Sequence, residues 1–510
     1  MSVMQISDEH RPRQRSLLTL MSATIAMAII GLPLLRPACA QPRQACKVVV
    51  SERDSGWPVP LVELRTTHHS RYVSDNAGVI AIDDPSLMNR EVWFHVLGQG
   101  YEVPADGFGN RGVRLTPVPD ATLHVEVVRT SIAKRIGRLT GGGLFAESQQ
   151  LGEQLQWSDG PVLGCDSLQL ARHQGRAIWA WGDTTLADYP LGVFHMTGAS
   201  TPLAAFEQLQ PPLKPHFEYF VDDRARPRGL APMPGSGPTW LTGFVSVSDA
   251  AGKAHLVALY RKIKPPLSVY EIGQCVWDET RQIFEQRLPL WQIPPETTNT
   301  DAKNTVTTNA ETAPAILAEG HPSWWRDANG KQWLLFGNPF PHARLPATYE
   351  AWCEISEWQK LEPQSQLVTR DGAVIEPHSG SIAFNAFRQR WVTVFVQKFG
   401  QASFLGTVWY AEADSPLGPW GPAVKILEHV DYSFYNPRLH PELESEDARV
   451  LLFEGTYSAT FAKQAQPTPR WDYNQVLYRL DLDDPRLQAA QHNAANCKIT
   501  IPPCEDRPPG

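Results

Sequence analysis

The chain of 510 residues has no basic run and no patch in which Lys and Arg interleave with aromatics, and its net charge is −8. Binding to nucleic acid needs a positive footprint, so a nucleic-acid partner is excluded. Cysteine is scarce, seven in all, and no two stand at the C-x2-C spacing of a structural zinc site. Beyond the first forty residues no long apolar run occurs, so no stable membrane span is expected. Helical periodicity is sparse as well.

What is present begins with an N-terminal address. Arg11, Arg13 and Arg15 precede an apolar stretch from Leu17 to Leu35, and the small-residue site Ala38-Cys39-Ala40 follows. That order predicts a signal peptide over residues 1–40 and a periplasmic or secreted destination. Gly31 and Pro33 interrupt the stretch, which argues against an anchor, and Arg36 stands where lipidation of Cys39 would want an apolar residue. Export permits disulfides. Cys497 and Cys504 could close a loop in the Pro-rich tail, residues 488–510; for Cys46, Cys165, Cys275 and Cys353, pairing and burial as free thiols both stay open.

Seventeen tryptophans lean toward an all-β protein. Residues 41–130 read as short strands (Lys47–Val50, Leu61–Arg65, Gly78–Ile82, Val92–Leu97, Leu123–Val128) separated by turn chemistry such as Asp75-Asn76-Ala77-Gly78. Close-spaced short strands predict a small β-sandwich. The run Gly56-Trp57-Pro58-Val59-Pro60-Leu61, with the later Ser74-Asp75-Asn76-Ala77-Gly78 turn, resembles transthyretin-like, carboxypeptidase-regulatory modules. The resemblance implies an accessory role, as a spacer or as the docking point for a protein partner. A linker is expected over 131–156.

From residue 157 to 487 one layout recurs five times: a turn-forming marker, a strand, a short turn, and an apolar strand ending in a polar residue. The markers hold Asp166, Thr239, His321, His378 and Asn436, and the terminal polar residues are Asp183, Arg261, Asn338, Gln397 and Glu454. The marker spacings are 73, 82, 57 and 58 residues, and the longest contains a Thr/Asn/Ala-rich insertion at 294–314. Units of this length suit four-stranded blades that close radially. The expected architecture is all-β: a small N-terminal β-sandwich plus a C-terminal five-bladed β-propeller, with blades at 157–225, 226–314, 315–375, 376–430 and 431–487.

Trp181-Gly182-Asp183-Thr184, Asp414-Ser415-Pro416-Leu417-Gly418-Pro419-Trp420 and Phe453-Glu454-Gly455-Thr456-Tyr457 together resemble the five-bladed propellers of the arabinanase and xylosidase glycosidase superfamily. The resemblance implies an axial pocket with a base-like aspartate opening the first blade's inner strand, the place of Asp166. The family's other two carboxylates open the second and third blades. Here those places hold Thr239, and His321 with Glu319 two residues earlier. Asp166 and Glu319 are thus the expected acid/base pair, with Asp183 as a tuning carboxylate or as a turn cap.

Antiparallel hairpins return their ends to one rim, so His321, Asn338, His378, Arg438 and Glu454 are expected around the same pocket as substrate-binding groups. Glu454 could instead pair with Arg438. His321 and His378 could donate to sugar hydroxyls, move a proton, or hold an axial divalent cation such as calcium; no cofactor is required. Phe194, Met196 and one of the alternating pair Trp324-Trp325 are further subsite candidates, although core packing is the expected fate of both tryptophans. The sequence predicts an exported, glycoside hydrolase-like protein acting on an oligo- or polysaccharide. A non-catalytic carbohydrate-binding propeller and a periplasmic interaction scaffold are the alternatives.

Overall fold

The computed structural model describes residues 44–193, 195–203, 211–293, 316–443, 447–462 and 466–490. The expected leader, the insertion at 294–314, Phe194, Cys497 and Cys504 lie outside the described residues. Among the described residues no helix is long and apolar enough to cross a membrane. Cys46, Cys165, Cys275 and Cys353 are all free thiols.

Alternation builds the first domain. In Cys46–Glu52 every second residue is buried, so one face carries Val48 and Val50 into a core with Leu64, Ile80, Phe94 and Val127. Two four-stranded sheets enclose that core. The first orders Val79–Ile82, Cys46–Glu52, Thr122–Arg129 and Tyr101–Glu102; the second orders Arg71–Val73, Glu63–Thr66, Val92–Leu97 and Gly112–Leu115. The turn read from Asp75-Asn76-Ala77-Gly78 forms through Asp75 Oδ1, which accepts the N–H groups of Ala77 (2.9 Å) and Val79 (3.2 Å).

Five further four-stranded sheets follow, each a blade. Their first strands are Gln169–His173, Thr239–Ser248, His321–Arg326, Pro377–Asn385 and Ser433–Leu439. Hydrogen bonds tie each blade to the next. His173 Nδ1 meets Ser246 Oγ at 2.8 Å, Thr242 Oγ1 accepts Gly320 N–H at 2.8 Å, and Ser323 Oγ donates to the Ile382 carbonyl at 2.9 Å. Ser381 Oγ accepts Leu439 N–H at 2.7 Å, and Arg438 Nη2 returns to blade one by donating to the Leu170 carbonyl at 2.9 Å. The fifth tie closes the circle, and the architecture is a five-bladed β-propeller preceded by a β-sandwich.

The closure differs from the expected blade limits. Residues 131–156, read as a linker, contain the strand Lys134–Arg138, which pairs antiparallel with Asn474–Asp481 as the outermost strand of blade five. The segment 431–487 therefore contributes three strands of its blade. A repeat search running only downstream of Asp166 could not see the fourth, because it lies more than three hundred residues upstream of its partner.

That strand is also where the sandwich meets the propeller. Asn76 Oδ1 accepts Arg138 N–H at 2.9 Å while its amide donates to the carbonyls of Arg138 (2.9 Å) and Leu213 (3.1 Å). The buried Arg135 guanidinium donates to the carbonyls of Pro60, Leu61 and Gln99. An outermost strand is otherwise an open edge, and the sandwich covers it. Asn76→Ala strands three buried backbone groups and should cost about 2–4 kcal/mol in urea unfolding; a loss under about 1 kcal/mol would show that the seam does not depend on the sandwich.

Candidate functional site

Asp166 follows a two-residue strand, Gly164–Cys165, that pairs with Thr184 and Thr185. This short hairpin sets Asp166 beside the end of the next strand, where Gly182 N–H donates to the Asp166 carbonyl at 2.7 Å. Ser167, with φ +52°, then turns the chain into blade one. Asp166 and Asp183 consequently share one cavity of about 230 Å³ with Met196, Trp240 and Arg261. It lies at the mouth where the first strands begin, called the front mouth below.

The two carboxyls cannot ionise independently. Burial pushes Asp166 up to about 7, with the nearby Asp183 charge adding to the effect, and the hydrogen bond from Tyr435 Oη (3.1 Å to Oδ2) opposes them in part. Burial also raises Asp183, against the Trp240 Nε1–H that donates to its Oδ1 at 3.1 Å. That indole contact occupies Asp183 in place of the turn cap considered from sequence. The fit around Asp166 is close, since a Cβ added at Gly182 would stand 2.2 Å from Asp166 Oδ1.

Glu319 enters the site through an intermediary. Both of its carboxylate oxygens contact Nη2 of Arg261, and Nε lies 3.2 Å from Oε1. Arg261 lines the cavity, so Glu319 holds the guanidinium in place.

The remaining expected residues do not converge on this cavity. Asn338 Oδ1 accepts Gly380 N–H at 2.8 Å, a tie between blades three and four. His378 is exposed, with Nδ1 3.2 Å from Ser379 Oγ; desolvation and then Lys398 lower its pKa. Burial holds the His321 imidazole neutral, down to about 3, with Arg438 and His440 adding positive charge beside it. Arg438 lines the opposite mouth, with Nη2 2.5 Å from Glu442 Oε1.

Glu454 is fully buried, and its Oε2 lies 3.1 Å from His440 Nε2. The predicted rim fails for Arg438 and Glu454 because their strands, Ser433–Leu439 and Val450–Ser458, run several residues past the expected limits. The two residues do face each other in register, but in the interior of the hairpin.

Among the described residues no three His, Cys, Asp or Glu side chains converge as a metal site. Its burial and the Arg438 charge near it make His321 a poor ligand for a divalent ion. Trp240, Tyr435 and Arg261, at repeat-marker and strand-end positions, complete the site without having been expected there. Their periodic position was the signal that could have found them.

No family model matches the chain, and no curated protein does. Solved structures with some likeness include an exo-1,5-alpha-L-arabinanase from a bovine ruminal metagenomic library, at 11% identity and TM-score 0.35, covering 63% of this chain and 94% of that one. An arabinanase of Bacillus subtilis matches at 9% identity and TM-score 0.30, over 62% of this chain and 93% of its own. An exo-beta-1,3-galactanase of Phanerochaete chrysosporium matches at 10% identity and TM-score 0.35, over 63% and 61%. The propeller assignment stands on strand order and on the ties between blades.

Because Asp166 binds its proton more tightly when folded, its contribution to stability is complete below its ordinary pKa of 3.8 and is lost as pH rises through about 7. Asp166→Asn removes that dependence. In calorimetric melting, the Tm of the variant relative to the parent should therefore climb between pH 4 and pH 8. A Tm difference independent of pH would contradict the buried acid pair.

Proposed function

We propose that the chain is an exported, glycoside hydrolase-like enzyme whose front cavity takes one linkage of an oligo- or polysaccharide. The observation that carries this reading is the convergence of Asp166 and Asp183 on one cavity, with Asp166 able to keep its proton near neutral pH. Glycosidic cleavage needs a protonated carboxyl to release the leaving oxygen and an ionised one to assist attack. Asp166 is the proposed proton donor, and Asp183, oriented by the Trp240 indole N–H, is the proposed ionised partner. The Arg261 guanidinium, fixed by Glu319, would take sugar hydroxyls. The half-buried Trp240 offers a face for the C–H side of a ring. These assignments move Asp166 from the expected base to the acid and put Asp183 in the pair in place of Glu319, because Glu319 is committed to Arg261.

A non-catalytic sugar-binding propeller is the second reading, favoured by the absence of a free carboxyl at the Thr239 position. The sandwich is proposed as a transthyretin-like accessory module, and residues 1–40 as the export signal that leads to the periplasm or medium.

Asp166→Asn should lower glycan turnover about a thousandfold while leaving glycan affinity nearly unchanged. Gly182→Ala should imitate it by displacing the Asp166 carboxyl. A parent protein inert on a broad glycan panel that still binds glycan would select the binding reading. Failure to bind any glycan would overturn both.

A further inference from the structure

The axial channel has a second mouth, where the first strands end. All five blades contribute to its wall, including Arg172, Ser246, Trp324, Phe384 and the Arg438–Glu442 pair, around a cavity of about 360 Å³. Two large aromatics on neighbouring blades are left half in water there: Trp324 is 51% exposed and Phe384 47%. Strand alternation explains why only one tryptophan of the pair is involved, since Trp325 packs against the core beside blade four. Phe384 is held edge-on by Trp391, with ring centroids 5.9 Å apart, so its ring is positioned before any ligand arrives.

The charges at this mouth are uneven. Arg438 and Glu442 neutralise each other, and Arg438 is further committed to the carbonyls of Leu170 and Leu439. Arg172 is different. Its Nη2 donates to the Glu442 carbonyl, its side chain is exposed, and among the described residues no carboxylate pairs with it. The mouth therefore combines flat apolar ring faces, the Ser246 hydroxyl and the Arg172 guanidinium, which among the described residues no carboxylate pairs. An indole face suits the C–H side of a sugar ring. A guanidinium fork suits a carboxylate on that ring.

We propose that this second mouth is a binding site for an acidic saccharide, with a uronate ring stacked on Trp324 and its carboxylate held by Arg172. The site is distinct from the Asp166–Asp183 cavity, and the proposal does not depend on catalysis there.

The test is calorimetric titration of the full chain with digalacturonate at low salt. Binding should be saturable, should weaken about tenfold or more in Trp324→Ala and in Arg172→Gln, and should fall with added salt. Trp324→Phe, which keeps a ring, should retain most of the affinity. The Trp324 and Arg172 variants alter exposed side chains, and an unchanged melting curve will confirm that they fold. No binding, or binding indifferent to both Trp324→Ala and Arg172→Gln, would overturn the proposal. Benzoate binding as tightly as digalacturonate through the same two residues would overturn the saccharide assignment.

Discussion

The rest of the structure depends on the hydrogen-bonded seam between Lys134–Arg138 and Asn474–Asp481. Without it the fifth sheet has three strands, and the edge that the sandwich covers is missing. The same seam sets the front cavity. Beside it, Tyr473 accepts the N–H of Cys165 at 2.8 Å, and Gln475 Nε2 donates to the Cys165 carbonyl at 3.0 Å. The next residue is Asp166, whose carboxyl receives the Tyr435 hydroxyl from blade five. The acid thus sits at the joint of the ring, between the first blade and the last. Closure and site geometry are one constraint, which is why the sandwich matters to the site despite lying outside it.

At that joint, two carboxyls compete for little solvent. Asp166 meets Gly182 on one side and the Tyr435 hydroxyl on another, while Asp183 has the Trp240 indole N–H. Arg261 would be expected to relieve the repulsion, but both Glu319 oxygens already engage it. Burial first, and then the Asp183 charge, therefore favour a proton on Asp166 up to about pH 7. The opposite mouth has the reverse character, with exposed aromatics and a guanidinium that no carboxylate pairs among the described residues. A single channel thus ends in two chemically different openings.

Much of the fold could be read from residues. Close-spaced strand candidates such as Lys47–Val50 and the Asp75 turn gave the sandwich, and the five markers gave the blades, because both signals are local. The fourth strand of blade five was not legible, since its pairing partner is distant in sequence and short strands carry little pattern. For the site, Asp166 and Asp183 could be found because one stands in the first repeat marker and the other ends that repeat's apolar strand. Arg438 and Glu454 were misplaced because an apolar strand shows where it is buried and not where it stops. The ion pair of Arg261 with Glu319 joins two blades, and no pattern within either blade announces it.

The central claim is that ring closure holds Asp166 and Asp183 in one cavity where they titrate as a pair. Carboxyl carbon NMR on protein labelled at aspartate tests it most directly. The account predicts that Asp166 titrates near 7 in the parent and moves toward its ordinary 3.8 in Asp183→Asn. An Asp166 resonance titrating near 4 in both proteins would contradict it.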